Sequence, residues 1–137
     1  MQSRKIKILT ILGTRPEIIK LSCIIKKFDK NFDHKLVHTG QNFSKSLNEI
    51  FFKDINLRRP DYILNIKNDD PINFLSSMLP KINKIFEKIK PDAVFFLGDT
   101  NSGLAAYVAK RKKIPIFHYE AGNRCFDQRV PEEINRK

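Results

Sequence analysis

Short apolar runs that stop at a glycine set the main constraint on how this chain folds. A fully apolar run of this length is typical of a strand covered on both faces, as in a parallel sheet. Residues 6–12 and 93–97 fit this pattern, and residues 34–39 and 114–119 are predicted strands of more mixed composition. The glycines at or just after their ends are Gly13, Gly40, Gly98 and Gly122. The sequence therefore predicts a sheet whose strands all end in glycine-containing turns.

Helical patterns separate these strands. Thr14 and Glu17 have the spacing of a capping box, and Pro16 fits the first turn of a helix. Asp70 opens a long amphipathic segment that we expect to be kinked or split at Pro80. The other expected elements are helices at about 44–52, 104–111 and after 131, and a short strand at 62–66. This alternation predicts the α/β class with a doubly wound parallel sheet.

Composition indicates one globular domain. The chain has 137 residues, of which 41% are hydrophobic and 30% charged, and no apolar run is long enough to cross a membrane. We therefore expect a cytoplasmic protein. Cys23 and Cys125 are far apart and show no ligand spacing, so we expect both to be reduced. His34 and His38 share a predicted strand, but no third ligand is evident, and we expect no metal.

The net charge of +11 raises the possibility of a polyanion partner. No nucleic-acid-binding motif accompanies this charge. The densest basic group has helical spacing, as expected for a solvated helix face, and comprises Lys81, Lys84, Lys88 and Lys90. We therefore expect neither a nucleic acid nor a membrane as partner.

Polar residues flank the glycines at the strand ends. In open α/β sheets ligands bind along the edge formed by the carboxyl ends of the strands. The glycines could instead serve only to turn the chain, and for Gly40 alone we favour that explanation. For all the turns together we expect a site, assembled from Arg15, Gln41, Asp99, Thr100, Glu120 and Arg124.

The turn at Gly13 has the features of a phosphate site. It leads into a helix N-terminus, where free N–H groups and the helix dipole attract anions, and it lies beside Arg15 and Lys20. The pattern is neither GxGxxG nor a P-loop. A structural helix with a capping box and a nearby arginine is the alternative.

Two carboxylates hold equivalent positions after predicted strands. Asp99 follows one strand and Glu120 follows the next, so on neighbouring strands they would face one cleft. Like charges close together would raise the pKa of one carboxyl toward general acid/base use. Each could instead cap the following helix. Glu132 and Glu133 are either a further acidic contribution or the first turn of a final helix.

Four sequence blocks together resemble the non-hydrolysing UDP-N-acetylglucosamine 2-epimerases. Their order and intervals match across essentially the whole chain. The blocks are Ile11–Lys20, Gly98–Thr100, His118–Arg124 and Pro131–Arg136. The resemblance implies that residues 1–137 are the Rossmann-like N-terminal half of a GT-B-like enzyme of two domains. The domain would be incomplete, and the C-terminal nucleotide-binding domain would be absent.

The resemblance also implies an isomerase of cell-surface polysaccharide biosynthesis, such as that of capsule and O-antigen. UDP would leave C1 of UDP-N-acetylglucosamine as the C2 proton is taken, and would then add back to give UDP-N-acetylmannosamine. No nicotinamide or other cofactor is needed, because no hydride leaves the sugar. By motif, the acid/base residues would be Asp99, Glu120 and Glu132. The substrate-binding residues would be Gly13, Arg15, Lys20, Thr100 and Arg124, with Arg15 and Lys20 at the diphosphate.

Two departures from the family pattern leave details open. Residues 41–44 lack polar groups linked to an activating second UDP-N-acetylglucosamine, so allosteric activation is open. The loop 123–130 is similar to that of a family branch that forms UDP-N-acetyl-L-fucosamine. That branch inverts C2 of UDP-2-acetamido-2,6-dideoxy-L-talose, so the identity of the sugar substrate is also open.

Family members are more than twice as long as this chain. Their second domain supplies a catalytic histidine and much of the uridine pocket. For this chain, that C-terminal domain would have to be supplied in cis, on the same polypeptide, or in trans, by a separate one. The full-length family implies a homodimer. We expect the chain alone to be inactive and Glu132, on a short terminal helix, to be mobile. A catalytically inert UDP-sugar-binding relic is the alternative.

Overall fold

The computed structural model of the chain describes residues 4–40, 45–67 and 70–137. It contains a sheet of five parallel strands in the order β3-β2-β1-β4-β5. The strands are Lys7–Leu12 (β1), Asp33–His38 (β2), Tyr62–Ile63 (β3), Ala93–Leu97 (β4) and Ile116–Tyr119 (β5). The predicted parallel sheet is confirmed, and the strand bounds differ from the expected ones by up to three residues.

Helices connect the strands. They are Arg15–Asn31 (α1), Lys45–Asp54 (α2), Pro71–Ile89 (α3), Ala106–Arg111 (α4) and Pro131–Asn135 (α5), and a 3₁₀ turn at Asn101–Ala105 precedes α4. The start that was expected for α2 at Ser44 lies outside the described residues. Asp70 accepts a hydrogen bond from the Asn73 amide at 2.7 Å, so the predicted N-cap of α3 is confirmed.

Helices cover both faces of the sheet, which makes it doubly wound. Side chains that alternate along each strand point to opposite faces. One buried cluster joins α3 and α4 to strand residues Leu9, Ile11, Val37, Val94 and Phe96. The other joins α1 and α2 to Leu12, Leu36 and Leu97. The near-continuous apolar runs of the sequence follow from this burial on two sides.

Helix α3 continues through Pro80, so the expected split of this helix is wrong. A proline inside a helix costs about 3 kcal/mol, because it removes one hydrogen bond and crowds the preceding turn. Burial of a large apolar side chain contributes about 1.5–3 kcal/mol. Helix α3 buries several of them against the sheet, including Phe74, Met78 and Ile82, which lie on both sides of Pro80. Tertiary packing therefore outweighs the local penalty.

Gly40 is required by a close backbone approach. Its φ is 94°, and a Cβ added there would lie 2.8 Å from backbone atoms of Asn65 and Ile66. Any other side chain would push the end of β2 away from the segment after β3. This glycine therefore shapes the backbone, as we expected for Gly40 taken alone.

The basic group on α3 faces solvent, as predicted. Its four lysines, 81, 84, 88 and 90, are all exposed. Within the described residues, no helix has the length and apolar character needed to cross a bilayer.

The two histidines of β2 are buried. Burial lowers the pKa of His38 to about 4, and its Nδ1 accepts the Gly40 amide hydrogen bond at 2.9 Å. Burial also lowers the pKa of His34, although Asp29, which lies 2.6 Å from its Nδ1, opposes the shift. Unfolding lets both imidazoles take up protons below their ordinary pKa, so acid favours the unfolded chain.

We predict that stability falls as the pH drops from neutral toward the folded-state pKa of His38. Between about pH 7 and pH 5 the free energy of unfolding should fall by about 2 kcal/mol on account of His38, because each pKa unit corresponds to about 1.4 kcal/mol. His38→Asn retains an acceptor for the Gly40 amide but cannot titrate. Urea denaturation at both pH values should show a smaller loss in this variant. An equal loss in both proteins would contradict the prediction.

Candidate active site at the switch point of the sheet

A cleft of about 570 Å³ lies at the carboxyl ends of β1, β4 and β5. The strand order reverses between β1 and β4, and such a switch point opens a crevice where α/β proteins bind ligands. We call it the central cleft. Its lining residues are Thr14, Pro16, Glu17, Lys20, Pro71, Leu97, Gly98, Asp99, Thr100, Asn101, Glu120, Pro131 and Glu132.

Three of the lining carboxylates are those that the sequence singled out. Strands β4 and β5 are parallel neighbours, with Leu97 paired to Tyr119, so Asp99 and Glu120 emerge from adjacent strand ends. Glu132 joins them from the first turn of α5. The predicted placement of Asp99 and Glu120 in one cleft is confirmed, whereas their chemical roles stay predictions.

The carboxylates of Asp99 and Glu120 are each ion-paired, so a cation lies beside each of the two like charges. Both oxygens of Glu120 accept hydrogen bonds from the Lys20 ammonium, at 2.8 and 2.9 Å. Asp99 pairs with the Arg136 guanidinium. Both cations come from helices, Lys20 from α1 and Arg136 from the end of α5. Each carboxylate is thus charge-compensated in the absence of ligand.

Glu120 has an unusual backbone. Its φ is 59°, in the left-handed region that costs a residue with a Cβ roughly 1 kcal/mol. Strain of this kind persists where the surrounding structure imposes it, and it clusters at functional sites. Here it turns the chain at the end of β5, where the Glu120 side chain meets Lys20.

Glu17 occupies the amides that we expected to be free for phosphate. Its Oε2 accepts hydrogen bonds from the Gly13 and Thr14 amides, at 2.9 and 2.7 Å, so these two amides are not free for phosphate. Its Oε1 accepts the Thr100 hydroxyl at 3.0 Å. Burial raises the pKa of Glu17, and these hydrogen bonds oppose the rise. Glu17 therefore joins the turn after β1 to the turn after β4, and binding of substrate by Gly13 stays a prediction.

Arg15 does not line the central cleft. Its guanidinium lies 5.8 Å from the centre of the Phe51 ring, where it links α1 to α2 through a cation–π contact. Lys20, one turn further along α1, is the cation that reaches the cleft. A diphosphate contact from Arg15 remains a prediction.

Arg124 is turned away from the central cleft as well. It lines a second cavity of about 380 Å³, which lies beyond the turn that carries Asp99. Its guanidinium binds the buried carboxylate of Glu133, with Nε at 2.6 Å from Oε1, and these hydrogen bonds lower the pKa of Glu133 to about 2. Arg124 therefore anchors the loop before α5, and a role in substrate binding stays a prediction.

Helix α5 has only five residues, but tertiary hydrogen bonds hold its C-terminal end. Asn135 donates hydrogen bonds to the carbonyl of Asp99 and to the side chain of Asn101, at 2.8 and 3.0 Å. Arg136 adds the ion pair to Asp99. Contacts with the turn after β4 therefore support this five-residue helix, and mobility of Glu132 stays a prediction.

Sequence reasoning missed Glu17 and Arg136 as site residues. Glu17 was assigned to a capping box, which it does form, but its link to Thr100 spans 83 positions and left no local signal. Arg136 belongs to the block Pro131–Arg136, but no role was predicted for it. Gln41 lies outside the described residues. Among the described residues, no group of three or more potential ligands is placed to hold a metal ion.

The family model for UDP-N-acetylglucosamine 2-epimerase matches residues 26–137. The chain belongs to this epimerase family. The UDP-N-acetylglucosamine 2-epimerase of Methanocaldococcus jannaschii is 49% identical over 132 residues, which cover 95% of this chain and 36% of that protein. A UDP-2,3-diacetamido-2,3-dideoxy-D-glucuronate 2-epimerase from Pseudomonas aeruginosa is 44% identical and covers 95% of this chain and 38% of that protein.

Solved epimerase structures share the fold. A UDP-N-acetylglucosamine 2-epimerase from Rickettsia bellii superposes with a TM-score of 0.90 at 58% identity, over 97% of this chain and 36% of that chain. The M. jannaschii enzyme in complex with UDP-GlcNAc and UDP superposes with a TM-score of 0.89 at 48% identity, over 96% and 37%. This chain thus spans about a third of the length of these epimerases and corresponds to their Rossmann-like N-terminal part within the GT-B-like architecture.

We predict that Glu17→Ala lowers the free energy of unfolding by about 3 kcal/mol. The substitution leaves two amides and the hydroxyls of Thr14 and Thr100 without their acceptor, and an unsatisfied buried polar group costs about 1–3 kcal/mol. Glu17→Gln keeps one acceptor oxygen and should lose about half as much. Glu87→Ala, on the exposed face of α3, is the matched control and should change stability by less than about 0.5 kcal/mol. Denaturant titration measures all three, and a neutral Glu17→Ala would refute the linking role.

Proposed function

We propose that this chain provides the acid/base half of the active site of a UDP-N-acetylglucosamine 2-epimerase, a cytoplasmic enzyme of two domains that works as a homodimer. One observation carries the proposal. Asp99, Glu120 and Glu132 converge on the central cleft at the switch point of the sheet, and Lys20 reaches the same cleft. Membership of the epimerase family supports it.

The chemistry requires carboxylates because the C2 proton of the sugar is not acidic enough for simple removal. As a carboxylate takes this proton, the C1–O bond breaks and its electron pair leaves with UDP, which gives 2-acetamidoglucal. UDP then adds back to C1, and a carboxylic acid returns a proton to the opposite face of C2. Because the proton leaves one face of C2 and returns to the other, acid/base groups are needed on both sides of the sugar ring. Asp99, Glu120 and Glu132, which come from three different segments around one cleft, can meet this requirement.

The cleft also has to stabilise the departing diphosphate. A cation held near the bond that breaks offsets the charge that develops on the leaving group. Lys20 lies on α1 beside the turn of Gly13 and supplies this charge. Thr100 adds a hydroxyl whose position is fixed by Glu17.

A second domain would complete the site. Charge interactions weaken several-fold in contact with water, and reactants on an open surface are poorly positioned. Strand β5 is exposed along its full length, with Phe117 at 59% and Tyr119 at 49% exposure, which fits a surface that further protein covers. We therefore expect little turnover by residues 1–137 alone.

A non-catalytic UDP-sugar-binding domain is the second candidate. The ion pairs of Asp99 with Arg136 and of Glu120 with Lys20 favour it, because each carboxylate is already engaged with a cation of the chain. The sugar is a separate question, since the relatives named above include epimerases of two different UDP-sugars. A 6-deoxy-talose derivative is the alternative substrate for this chain.

We predict that the purified chain incorporates deuterium at C2 of UDP-N-acetylglucosamine from heavy water only when the C-terminal domain of a close relative is added. Mass spectrometry of the recovered nucleotide sugar measures the uptake. UDP-2-acetamido-2,6-dideoxy-L-talose is tested in parallel to assign the sugar.

Asp99→Asn and Glu120→Gln should each reduce the restored exchange at least about a hundredfold, as is typical for loss of a general acid or base. Glu87→Gln, outside the cleft, is the matched control and should exchange normally. Lack of exchange in the complemented sample, with the complementing domain shown to bind, would favour the non-catalytic candidate. Rapid exchange by the chain alone would refute the need for a second domain.

A further inference from the structure

The central cleft is acidic for a site that receives a diphosphate. Four of its lining residues carry carboxylates, Glu17, Asp99, Glu120 and Glu132, and within the described part of the chain Lys20 is the one lysine or arginine among the lining residues. Both oxygens of Glu120 already hold the Lys20 ammonium. An incoming diphosphate would therefore find the nearby cations already engaged, because Glu120 holds the ammonium of Lys20 and Asp99 holds the guanidinium of Arg136.

The two ion pairs of the cleft differ in how easily they can open. The side chains of Lys20 and Glu120 are 51% and 32% exposed, whereas those of Arg136 and Asp99 are 20% and 15% exposed. Exposed lysine–carboxylate pairs contribute little free energy and exchange readily. A lysine ammonium is also a point charge on a flexible stem, with no fixed fork to reorient. The Lys20–Glu120 pair is thus the exchangeable one.

The Arg136–Asp99 pair is held by its surroundings. Asn135, the preceding residue, donates to the Asp99 carbonyl at 2.8 Å and to the Asn101 side chain at 3.0 Å. Moving Arg136 would disturb the contact between α5 and the turn after β4. Lys20 has no such tether, because the hydrogen bonds of its ammonium in the described structure all go to Glu120.

We propose that Lys20 is a substrate-triggered switch that leaves Glu120 for the diphosphate of the nucleotide sugar and so releases Glu120 for proton transfer. The inference rests on the proposed function. A diphosphate carries more negative charge than one carboxylate and attracts the ammonium more strongly at equal distance. The carboxylate is then bare only when the substrate is present. In the free protein the same pair keeps Glu120 neutralised.

Competition between Glu120 and the diphosphate for Lys20 makes a measurable prediction. Removing the charge of Glu120 frees Lys20 and should tighten the binding of UDP about threefold, the change expected for loss of one exposed ion pair. Glu132→Gln is the matched control, since it removes a carboxylate from the same cleft, yet Glu132 has no ion pair to Lys20 in the described structure. Its gain should be less than half as large.

The experiment is calorimetric titration of UDP, and separately of inorganic pyrophosphate, into the wild type and four variants. The variants are Glu120→Gln, Glu132→Gln, Lys20→Gln and the double variant Lys20→Gln with Glu120→Gln. Melting curves confirm that each variant is folded. Lys20→Gln should weaken binding about fivefold, and the double variant should bind no better than Lys20→Gln. In addition, the ¹⁵Nζ signal of Lys20 should shift when UDP is added to the wild type.

Three results would overturn the switch: equal gains in Glu120→Gln and Glu132→Gln, a gain from Glu120→Gln that persists without Lys20, or no binding of UDP to any variant. The proposed function is judged separately, by deuterium exchange at C2. Exchange without the Glu120-specific gain would retain the epimerase and reject the switch. The gain without exchange in the complemented protein would retain only the movement of Lys20 from Glu120 to the diphosphate, and would reject both the epimerase and the release of Glu120 for proton transfer.

Discussion

Hydrogen bonds between β1 and β4 join two distant segments of the chain, so that Ile8 pairs with Ala93 and Thr10 with Phe95. The strand order reverses at this pairing, because β2 lies on the other side of β1. The turns after β1 and β4 therefore diverge on opposite faces and leave a crevice between them. Every feature of the central cleft depends on this arrangement. Glu17 joins the turns after β1 and β4 by its hydrogen bond from Thr100. Strand β5 adds one more strand end beside β4, and α5 contacts the turn after β4 at one side of the cleft.

Charge compensation over long sequence distances shapes this cleft. Glu120 is paired with a lysine 100 positions earlier, and Asp99 with an arginine close to the last residue of the chain. Glu17 is stabilised differently, since its partners among the described residues are two amides and two hydroxyls. Such a carboxylate has a structural role, because its acceptor capacity is used by the fold. In the proposed function the carboxylates that face the ligand are Asp99, Glu120 and Glu132, which line the central cleft.

Much of the fold could be predicted from the sequence because local patterns and burial agree. The apolar run at 93–97 is a strand covered on both faces, and its bounds were predicted without error. The capping box of Thr14 and Glu17 and the N-cap at Asp70 are local motifs and are present. Pro80 does not split α3, because the packing of this helix outweighs a local penalty. The gathering of Asp99 and Glu120 followed from the general rule that parallel strand ends meet at one edge.

What the sequence did not indicate are contacts that depend on side-chain direction in three dimensions. Arg15 precedes Lys20 by little more than one helical turn, yet the first lies over Phe51 and the second reaches the cleft. Arg124 belongs to a motif shared with the epimerases, but its charge is taken up by Glu133. Neither the spacing nor the composition distinguishes these outcomes, because each depends on which helix or loop packs beside the side chain.

The central claim is that a nucleotide diphosphate binds in the cleft between the turns after β1 and β4. Backbone amide NMR shifts on titration with UDP test it most directly, because they report where the ligand binds without requiring turnover. The account predicts that the largest changes fall on residues 14–20, 98–101 and 120, with smaller ones at 131–133. The exposed basic face of α3, around Lys84 and Lys88, should be unaffected at moderate salt. Largest changes on that face, with the three turns unperturbed, would contradict the account.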